Sequence, residues 1–453
     1  MELCNSFQAY FANFTTVFSA SSFALWTALS AGWIQSHRHR FVSDLIVSSD
    51  STRNGTWTKY YHFFSRNKWS LPNLCQRLFL LIVDRLIPQD AVLVLAVDDT
   101  LCRKRGLGIF GVGMHHDPLI SSKNKKLTSW GHNWVIVSVI VSGLPWAPNQ
   151  VWSLPIGFRL YVNKQGNVKG KSKNKNKNQD PNHKTRPPLA VELLEMIAEW
   201  LPERTFVVCG DSLYGGKSVV QNLPANMHQI SRLPLTAALY EVAPPKPKGQ
   251  RGPQRKKGER LPSIDAWADD PRTPWTMYNF DIYGLHTKLR FKCQDALYYG
   301  VGKDRLMRII VVEDLQGKRG RQTFFCTNPQ WNVRYILTCY AQRWSIEVAF
   351  ENGKQLMGFA DPANRKLQAV ERTAPMAFVL YGLIVIWFHE HGHRHVEFPH
   401  RPWYPQKRTP SFGDMLTTLR RLSWEEKTAD LLPEQGALKD AVDQMTYFLS
   451  LAG

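Results

Sequence analysis

The hydrophobic pattern of the chain changes near residue 89. Before it, apolar residues recur at helical spacing, as in SFALWTALSAGWIQ and LPNLCQRLFLLIVDRLI, which predicts helices. After it, AVLVLAV, NWVIVSVIVSG and TFVVCG are continuous apolar runs, which are typical of buried strands. The segment PPLAVELLEMIAEWLP has the spacing of a helix with proline near its start. Strand, strand, helix and strand in this order predict an α/β domain.

Further along, the pattern changes twice more. HTKLRFKC and RLMRIIVVEDL are strand-like, and they predict a β-rich insertion before the chain becomes helical again. We therefore divide the chain into a helical N-terminal region (1–88), the first part of a core (89–235), a β-rich insertion with a basic loop (236–328), the end of the core with a Glu-bearing helix (329–360) and a helical C-terminal region (361–453).

Two basic stretches interrupt the α/β pattern. They are residues 169–188 (KGKSKNKNKNQDPNHKTRPP) and 244–260 (PPKPKGQRGPQRKKGER). Stretches of this composition do not bury enough apolar surface to fold. We predict that both are loops, and that the second opens the insertion.

The charge of the chain points to a polyanionic partner. Its 453 residues are 43% hydrophobic, an ordinary globular value, but the net charge is +20. A field of this strength suits nucleic acid, although a ribosomal or membrane-surface protein could share it. In the N-terminal region, SHRHR and TKYYHFFSRNKWS interleave cations with aromatic rings. That pattern suits DNA contact, and ordinary surface charge over a helical core is the alternative.

Cysteine usage and the apolar runs indicate a cytoplasmic protein. The seven cysteines are scattered without a Cys-x-x-Cys pair, which argues against a zinc ribbon or a disulfide framework. The first residues, MELCNSFQAYF, lack the basic segment of a signal peptide. The longest apolar run, Ala374 to Phe388, is shorter than the ~20 residues that span a bilayer. We expect a buried helix there and no membrane partner.

Three acidic positions stand out by their context. AVLVLAV ends in Asp98-Asp99-Thr100, TFVVCG is followed by Asp211, and Glu347 lies on a later predicted helix. A single aspartate at a strand end is usually a cap or turn residue. Three carboxylates that converge need a cation, and their hard oxygen atoms suit Mg²⁺ or Mn²⁺. Two such ions about 3.5–4 Å apart support phosphoryl transfer.

The segment YAQRWSIEVAFENGK places four polar residues at helical spacing. Tyr340, Arg343, Glu347 and Lys354 follow one another at intervals of three, four and seven, so one continuous helix would hold them on one face. This is the spacing of a functional face, and it is equally the spacing of a solvated face with salt bridges.

These four residues match without a gap the Tyr-x2-Arg-x3-Glu-x6-Lys signature of DDE transposases of bacterial insertion sequences. The chain resembles that family also in VDDT, CGDSLYGG and ERTAPMAFVLYGLIVIW, and least before residue 55. The resemblance implies an α/β fold with a ribonuclease-H-like core that is interrupted by a β-rich insertion, between helical N- and C-terminal regions. This agrees with the division made from the hydrophobic pattern.

The resemblance also implies roles for single residues. Asp99, Asp211 and Glu347 would form the catalytic triad and bind Mg²⁺ or Mn²⁺, with two ions expected. The first acid precedes threonine in the family pattern, which favours Asp99 over Asp98, but the register of the strand end does not decide between the two. The residues implied to bind the DNA backbone beside the scissile phosphate are Tyr340, Arg343 and Lys354.

The implied activity is cut-and-paste DNA transposition, with end cleavage by hydrolysis followed by strand transfer by the 3′-hydroxyl. The expected partners are double-stranded DNA, as transposon ends and as target, and a second copy of the chain on paired ends. The expected location is the bacterial cytoplasm, with the nucleoid. Two alternatives remain: a structure-specific nuclease or resolvase with the same core, and an inactive domesticated DNA-binding protein. Acids at all three positions count against the second.

Overall fold

The computed structural model describes residues 3–53, 55–163, 183–247, 249, 251–282, 285–316, 320–429 and 436–451. The helices that precede the first strand are α1 (Asn5–Gln8), α2 (Ala20–Gln35), α3 (Val42–Ser48), α4 (Thr58–Ser65) and α5 (Leu71–Leu86). The strands are β1 (Leu93–Arg103), β2 (Gly113–His116), β3 (Thr128–Leu144), β4 (Ala147–Tyr161), β5 (Phe206–Gly210), β6 (Met227–Arg232), β7 (Thr276–Ile282), β8 (Leu285–Leu297), β9 (Leu306–Asp314) and β10 (Gln322–Cys326). The later helices are α6 (Arg186–Trp200), α7 (Lys217–Val220), α8 (Ile264–Asp269), α9 (Tyr299–Gly302), α10 (Val333–Gln342), α11 (Ser345–Gln355), α12 (Leu367–Glu390), α13 (Phe412–Ala429) and α14 (Ala437–Leu451).

The helices predicted for residues 1–88 are present in the described part of that region. Helix α5 begins where its sequence predicts, because the hydroxyl of Ser70 accepts a hydrogen bond from the backbone N–H of Asn73 (3.3 Å) and so caps the first turn. Pro72 follows in that turn, where its fixed backbone angle suits a helix start. That this region binds DNA stays a prediction.

One mixed sheet joins the described strands. Their order is β2-β3-β1-β5-β6-β10-β9-β8-β7, and β4 pairs with β3 outside this path. Strand β1 is parallel to β5, and β5 is parallel to β6, whereas β3 is antiparallel to both β1 and β4. All residues of β5 are buried, which explains its continuous apolar sequence. The chain thus has a mixed α/β fold with one large sheet.

Strand β1 is longer than the apolar run that predicts it. It continues through Asp98 and Asp99 to Arg103, because pairing with β3 continues there. The parallel pairing with β5 stops earlier, at Val97 and Gly210. The two acids therefore lie in the middle of β1, at the level where its parallel neighbour ends.

The β-rich insertion extends this same sheet. Strand β10 pairs with β6, and β9, β8 and β7 continue the sheet outward from it. The side chains of Val220, Trp267, Met307 and Phe325 belong to one buried cluster, so α7 of the core and α8 of the insertion pack on a common hydrophobic layer. The strands predicted from HTKLRFKC and RLMRIIVVEDL are confirmed as β8 and β9.

Both predicted loops border described elements. Of the loop predicted at 169–188, residues 169–182 lie outside the described residues. Helix α6 begins at Arg186 with two prolines in its first turn, so the helix starts before the end that we predicted for the loop. In the predicted loop 244–260, the described residues form neither a helix nor a strand; an isolated bridge pairs Tyr240 with Arg260.

Helix α12 is long, apolar and almost entirely buried. By length and composition alone it could cross a membrane, but it packs against β4, α5 and α13, and Phe378 is fully buried. The guanidinium of Arg372 donates to the carbonyl oxygen of Asn67 (2.8 Å) and to that of Trp69. The buried helix predicted from the apolar run Ala374–Phe388 is therefore confirmed.

The two terminal regions and the sheet share one hydrophobic core. Side chains of α2, α5, α12, α13, β1, β3 and β4 belong to one buried cluster. Polar contacts reinforce it: the indole N–H of Trp33 donates to the carbonyl oxygen of Met357 (2.8 Å), and Nε of Arg420 donates to that of Ile34 (2.7 Å). Movement of the N-terminal helices relative to the sheet would disrupt these contacts.

Candidate active site

The guanidinium of Arg343 joins acids from two distant parts of the chain. Its Nη1 donates to Oδ2 of Asp98 (2.9 Å), in β1, and its Nη2 lies 3.5 Å from Oε1 of Glu347, in α11. Asp98 and Asp211 directly follow the last parallel pair of β1 and β5, Val97 with Gly210. The sheet register therefore sets Asp98 beside Asp211, and Arg343 adds Glu347 to them.

The single guanidinium of Arg343 does not offset the burial and mutual repulsion of these acids. Burial raises the pKa of Asp98 to about 7; Arg343 opposes the rise, and the nearby charges of Asp99 and Asp211 add to it. Burial likewise raises the pKa of Glu347 against the effect of Arg343, and Asp211 again contributes. When carboxylates of like charge interact in a position that is partly shielded from water, the neutral, protonated form is favoured. Such clusters are candidates for functional sites.

Asp211 is held in a tight turn. Its Oδ1 accepts hydrogen bonds from the backbone N–H groups of Leu213 (2.9 Å) and Tyr214 (3.3 Å). Its carbonyl oxygen accepts from the N–H of Gly215 (3.0 Å) and from the hydroxyl of Ser231 (2.8 Å). A Cβ at Gly215 would lie 2.3 Å from that hydroxyl oxygen, so the turn requires glycine. Among the described residues, Oδ2 of Asp211 makes no hydrogen bond.

The carboxylate of Asp99 is bound differently. Its Oδ2 accepts from Nη1 of Arg186 (2.6 Å) and Nδ2 of Asn133 (3.0 Å), and its Oδ1 accepts from the hydroxyl of Tyr214 (3.0 Å). The sequence analysis did not identify these three partners. Tyr214 could have been found, because it follows Asp211 within CGDSLYGG, whereas nothing in the sequence marks Arg186, which lies near the end of the basic stretch 169–188.

The helix predicted from Tyr340 to Lys354 is wrong in one respect: it is two helices. Helix α10 ends at Gln342 and α11 begins at Ser345. The backbone N–H groups of Arg343, Trp344, Ile346 and Glu347 each bond to the carbonyl three residues earlier, as from Arg343 to Tyr340 (3.2 Å). Such tighter bonds turn the chain further per residue than an α-helix does. The four signature residues therefore do not share one continuous helix face.

Two cavities meet at this junction, and Trp344 lines both. The first, of about 730 Å³, is lined by Asp211, Arg232, Tyr340 and Arg343. The second, of about 930 Å³, includes Asp98, Asp99, Arg186, Glu347 and Lys354 in its lining. All six residues predicted for the site thus border one of two adjoining cavities. Their catalytic and DNA-binding roles stay predictions.

The acids fit a divalent ion by the kind of donor that they offer. Carboxylate oxygens are the ligands that Mg²⁺ and Mn²⁺ prefer, and Asp98 and Glu347 each interact with Asp211. Across the described residues, however, no three His, Cys, Asp or Glu side chains are close enough to form a metal-binding group. The guanidinium of Arg343 lies between Asp98 and Glu347 instead and supplies the positive charge there.

Comparisons with known proteins bear on the family. The chain is similar to a solved chain described as "Cryo-EM structure of piggyBac transposase synaptic complex with hairpin DNA", at 10% sequence identity and a TM-score of 0.37, over 98% of this chain and 81% of that one. This likeness is too weak to establish the fold. No curated protein matches the chain. The family model described as "DDE superfamily endonuclease" matches residues 47–287, which include Asp98, Asp99 and Asp211 and end before Glu347. With more than half of its 453 residues matched, the chain belongs to the DDE superfamily endonucleases.

Proposed function

We propose that this protein is a DNA transposase of the bacterial insertion-sequence type, which cleaves the ends of its element by hydrolysis and joins the freed 3′-hydroxyl to target DNA. The observation that carries the proposal is the ion-pair bridge of Arg343 to Asp98 and Glu347, beside Asp211, in a chain of the DDE endonuclease family. The sheet order β4-β3-β1-β5-β6, with parallel pairing of β1, β5 and β6, supports a ribonuclease-H-like core.

Endonucleases of this superfamily generally use divalent metal ions. In this chain, Asp211, Glu347 and one acid of the Asp98–Asp99 pair would hold Mg²⁺ or Mn²⁺, with two ions as the expected number. Bound ions would activate the attacking oxygen and stabilise the leaving oxygen at the scissile phosphate.

The cations beside the acids suit a DNA backbone. Arg343 can donate two parallel hydrogen bonds to a phosphate, and its Nε is buried without a hydrogen-bond partner among the described residues. Lys354 borders the same cavity as Glu347 and forms no ion pair in the part of the chain that the structure describes. The ring of Tyr340 packs on Phe324, with ring centroids 4.7 Å apart, so this residue would shape the wall along which a strand lies.

Arg343 would therefore change partners during the reaction. Without DNA it neutralises Asp98 and Glu347. With DNA, a phosphate would accept from its guanidinium in place of the carboxylates, and the two carboxylates would become available as ligands. The net charge of +20 would attract both transposon ends and target DNA. A homodimer on paired ends and a location with the cytoplasmic nucleoid belong to this proposal.

The test is cleavage of defined DNA by the purified full chain with Mg²⁺. Duplexes that carry the sequences flanking its gene should be cut at the element boundary, and an unrelated duplex should not. Preferential cutting of branched DNA, irrespective of sequence, would instead identify a nuclease or resolvase. Binding without cleavage under any metal condition would identify an inactive DNA-binding protein.

A further inference from the structure

The two adjacent acids of β1 project to opposite faces of the sheet, because side chains alternate along a strand. Ala96 pairs with Cys209 in the parallel register, and Cys209 packs in one cluster with Tyr340 of α10. Asp98 lies two residues beyond Ala96, and Asp211 two residues beyond Cys209. Alternation carries Asp98 to the face on which α10 packs, and Asp211, just beyond the end of β5, lines a cavity with Tyr340 of α10.

Asp99 projects to the other face of the strand, although both acids line the cavity of Glu347, and the chain itself uses the carboxylate of Asp99. Its partners come from three elements: Arg186 from α6, Asn133 from β3 and Tyr214 from the turn after β5. Both oxygens of Asp99 accept hydrogen bonds from these donors, over distances of 2.6–3.0 Å. Binding a metal would require Asp99 to give up at least one of them. In Asp98, Oδ1 accepts from the backbone N–H of Asp99 (2.8 Å) and Oδ2 accepts from Arg343, so a metal on Oδ2 would displace only Arg343, the residue with a proposed alternative acceptor in DNA.

We propose that Asp98 is the first acid of the reaction and that Asp99 is a positioning residue for Asp211. This inference rests on the proposed function, since it assigns the acids of that same site. It reverses the preference for Asp99 that the threonine at position 100 suggested.

Tyr214 connects Asp99 to Asp211. Its hydroxyl donates to Asp99 (3.0 Å), its backbone N–H donates to Oδ1 of Asp211 (3.3 Å), and its carbonyl oxygen accepts from Nε2 of Gln229 (2.7 Å). Tyr214 is buried, with 1% of its surface exposed. Loss of the Asp99 carboxylate would release one end of this connection and loosen the turn that orients Asp211.

The test compares Asp98→Asn with Asp99→Asn, using Asp211→Asn as the reference. The first readout is Mn²⁺ bound by the full chain without DNA, measured by electron paramagnetic resonance of the free ion; the second is Mg²⁺-dependent cleavage. Asp98→Asn should match the reference, with weaker Mn²⁺ binding and cleavage reduced by at least about 1000-fold. Asp99→Asn should keep most Mn²⁺ binding and lose about 10–100-fold in cleavage, the scale of outer-shell substitutions.

A cysteine substitution supplies a readout that a structural role would not change. Thiolate is a softer ligand than carboxylate and disfavours Mg²⁺ more than Mn²⁺. Asp98→Cys should therefore cleave with Mn²⁺ and fail with Mg²⁺, while Asp99→Cys should respond equally to the two ions. Tyr214→Phe should repeat part of the Asp99→Asn defect and add little to it in the double variant.

Two different results would distinguish failure of this inference from failure of the proposed function. If Asp99→Asn loses Mn²⁺ binding and cleavage as Asp211→Asn does, and Asp98→Asn cleaves, the inference is overturned and the proposed function stands. If Asp211→Asn itself cleaves normally, the proposed function fails regardless of Asp98 and Asp99. If Asp98→Asn does not fold, as judged by its thermal midpoint, the Mn²⁺ preference of Asp98→Cys decides the inference in the same way.

Discussion

Two arginines of this protein are each surrounded by acids, with opposite consequences. In the insertion, Arg321 contacts Glu313 (2.8 Å), Asp265 (2.7 Å) and Asp269 (2.6 Å). Partial burial disfavours the charge of Glu313, but hydrogen bonds from Arg321 and a second arginine, Arg290, outweigh burial and lower its pKa. The hydrogen bond from Arg321 lowers the pKa of Asp269 as well.

At the candidate active site, one guanidinium contacts two acids, and burial outweighs its effect on both. Burial raises the pKa of Asp98 to about 7 in spite of Arg343, and it raises the pKa of Glu347 too. Glu313, at 17% exposed, is as buried as Asp98, at 18%, but two arginines contact Glu313. The other two acids of the insertion network, Asp265 and Asp269, are exposed to water. Arg290 gives the insertion network a second cation, whereas among the described residues Asp98 forms an ion pair with Arg343 alone. The first network is therefore structural, and the second favours the arrival of a further cation.

The largest expected difference between the two networks is in catalysis. Asp211→Asn keeps the size of the side chain and removes a negatively charged ligand, so cleavage should fall by at least about 1000-fold. DNA binding should stay nearly intact. The matched variant, Glu313→Gln, should cleave at the normal rate. Cleavage assays and binding isotherms on the two variants measure these effects. Normal cleavage by Asp211→Asn would mean that the two networks do not differ in function.

Removing each arginine should give the next largest effect. Arg343→Ala should cost cleavage about 1.5–3 kcal/mol, or roughly 10–150-fold, through loss of a charge-assisted contact at the scissile phosphate. Arg321→Ala should leave cleavage by the folded protein unchanged and lower stability by about 1–2 kcal/mol, since it leaves Glu313 with one cation fewer.

Melting temperature and cleavage rate must be measured on the same preparations of the two arginine variants. Because Arg343 bridges Asp98 and Glu347, its loss will lower stability to some extent as well. If Arg343→Ala loses activity only in proportion to its unfolded fraction, Arg343 is as structural as Arg321, and the comparison fails.

A smaller effect concerns the pH dependence of stability. The pKa of Glu313 is lower in the folded protein than in the unfolded chain, so its charge contributes stability above the unfolded pKa of about 4.3, and this contribution is lost as pH falls through the folded pKa. Glu313→Gln should therefore melt below the wild type at pH 7, and the gap should close in acid. Thermal unfolding from pH 7 to pH 3 measures it; a gap that widens in acid would contradict the lowered pKa.

The sequence predicted the elements whose hydrophobic pattern is unambiguous. The buried strands β1, β3 and β5 and the helices α6 and α12 were predicted because long apolar runs or strict helical spacing admit few alternatives. The position of Asp211 after β5 followed from the same pattern. The sequence did not reveal that α10 and α11 are separate, because four residues at helical spacing also tolerate a turn with tighter hydrogen bonds.

The environments of Asp98 and Asp99 could not be predicted from the sequence for a related reason. Which acid faces α10 depends on the register between β1 and β5, set by pairs such as Val97 with Gly210, and one residue of register exchanges the faces. The partner of Asp99, Arg186, is 87 residues away along the chain. Such long-range contacts leave no mark in the local pattern, so the fold class was accessible from sequence, and the partners of each acid were not.

The smallest expected effect distinguishes a cation that faces DNA from one that faces its own chain. Lys354 borders the cavity of Asp98 and Glu347 and forms no ion pair among the described residues, whereas Arg321 contacts three acids. Each phosphate contact that is lost lowers the slope of log binding constant against log salt concentration by about 0.9. Lys354→Ala should therefore bind end DNA several-fold more weakly at low salt and flatten this slope by about that amount, with the melting temperature changed by the equivalent of less than about 0.5 kcal/mol. Arg321→Ala should leave the slope unaltered, because the guanidinium of Arg321 is paired with acids of its own chain and would make no phosphate contact. Binding isotherms at four or five salt concentrations on both variants resolve a change of this size, and equal slopes for Lys354→Ala and the wild type would mean that Lys354 does not touch the backbone.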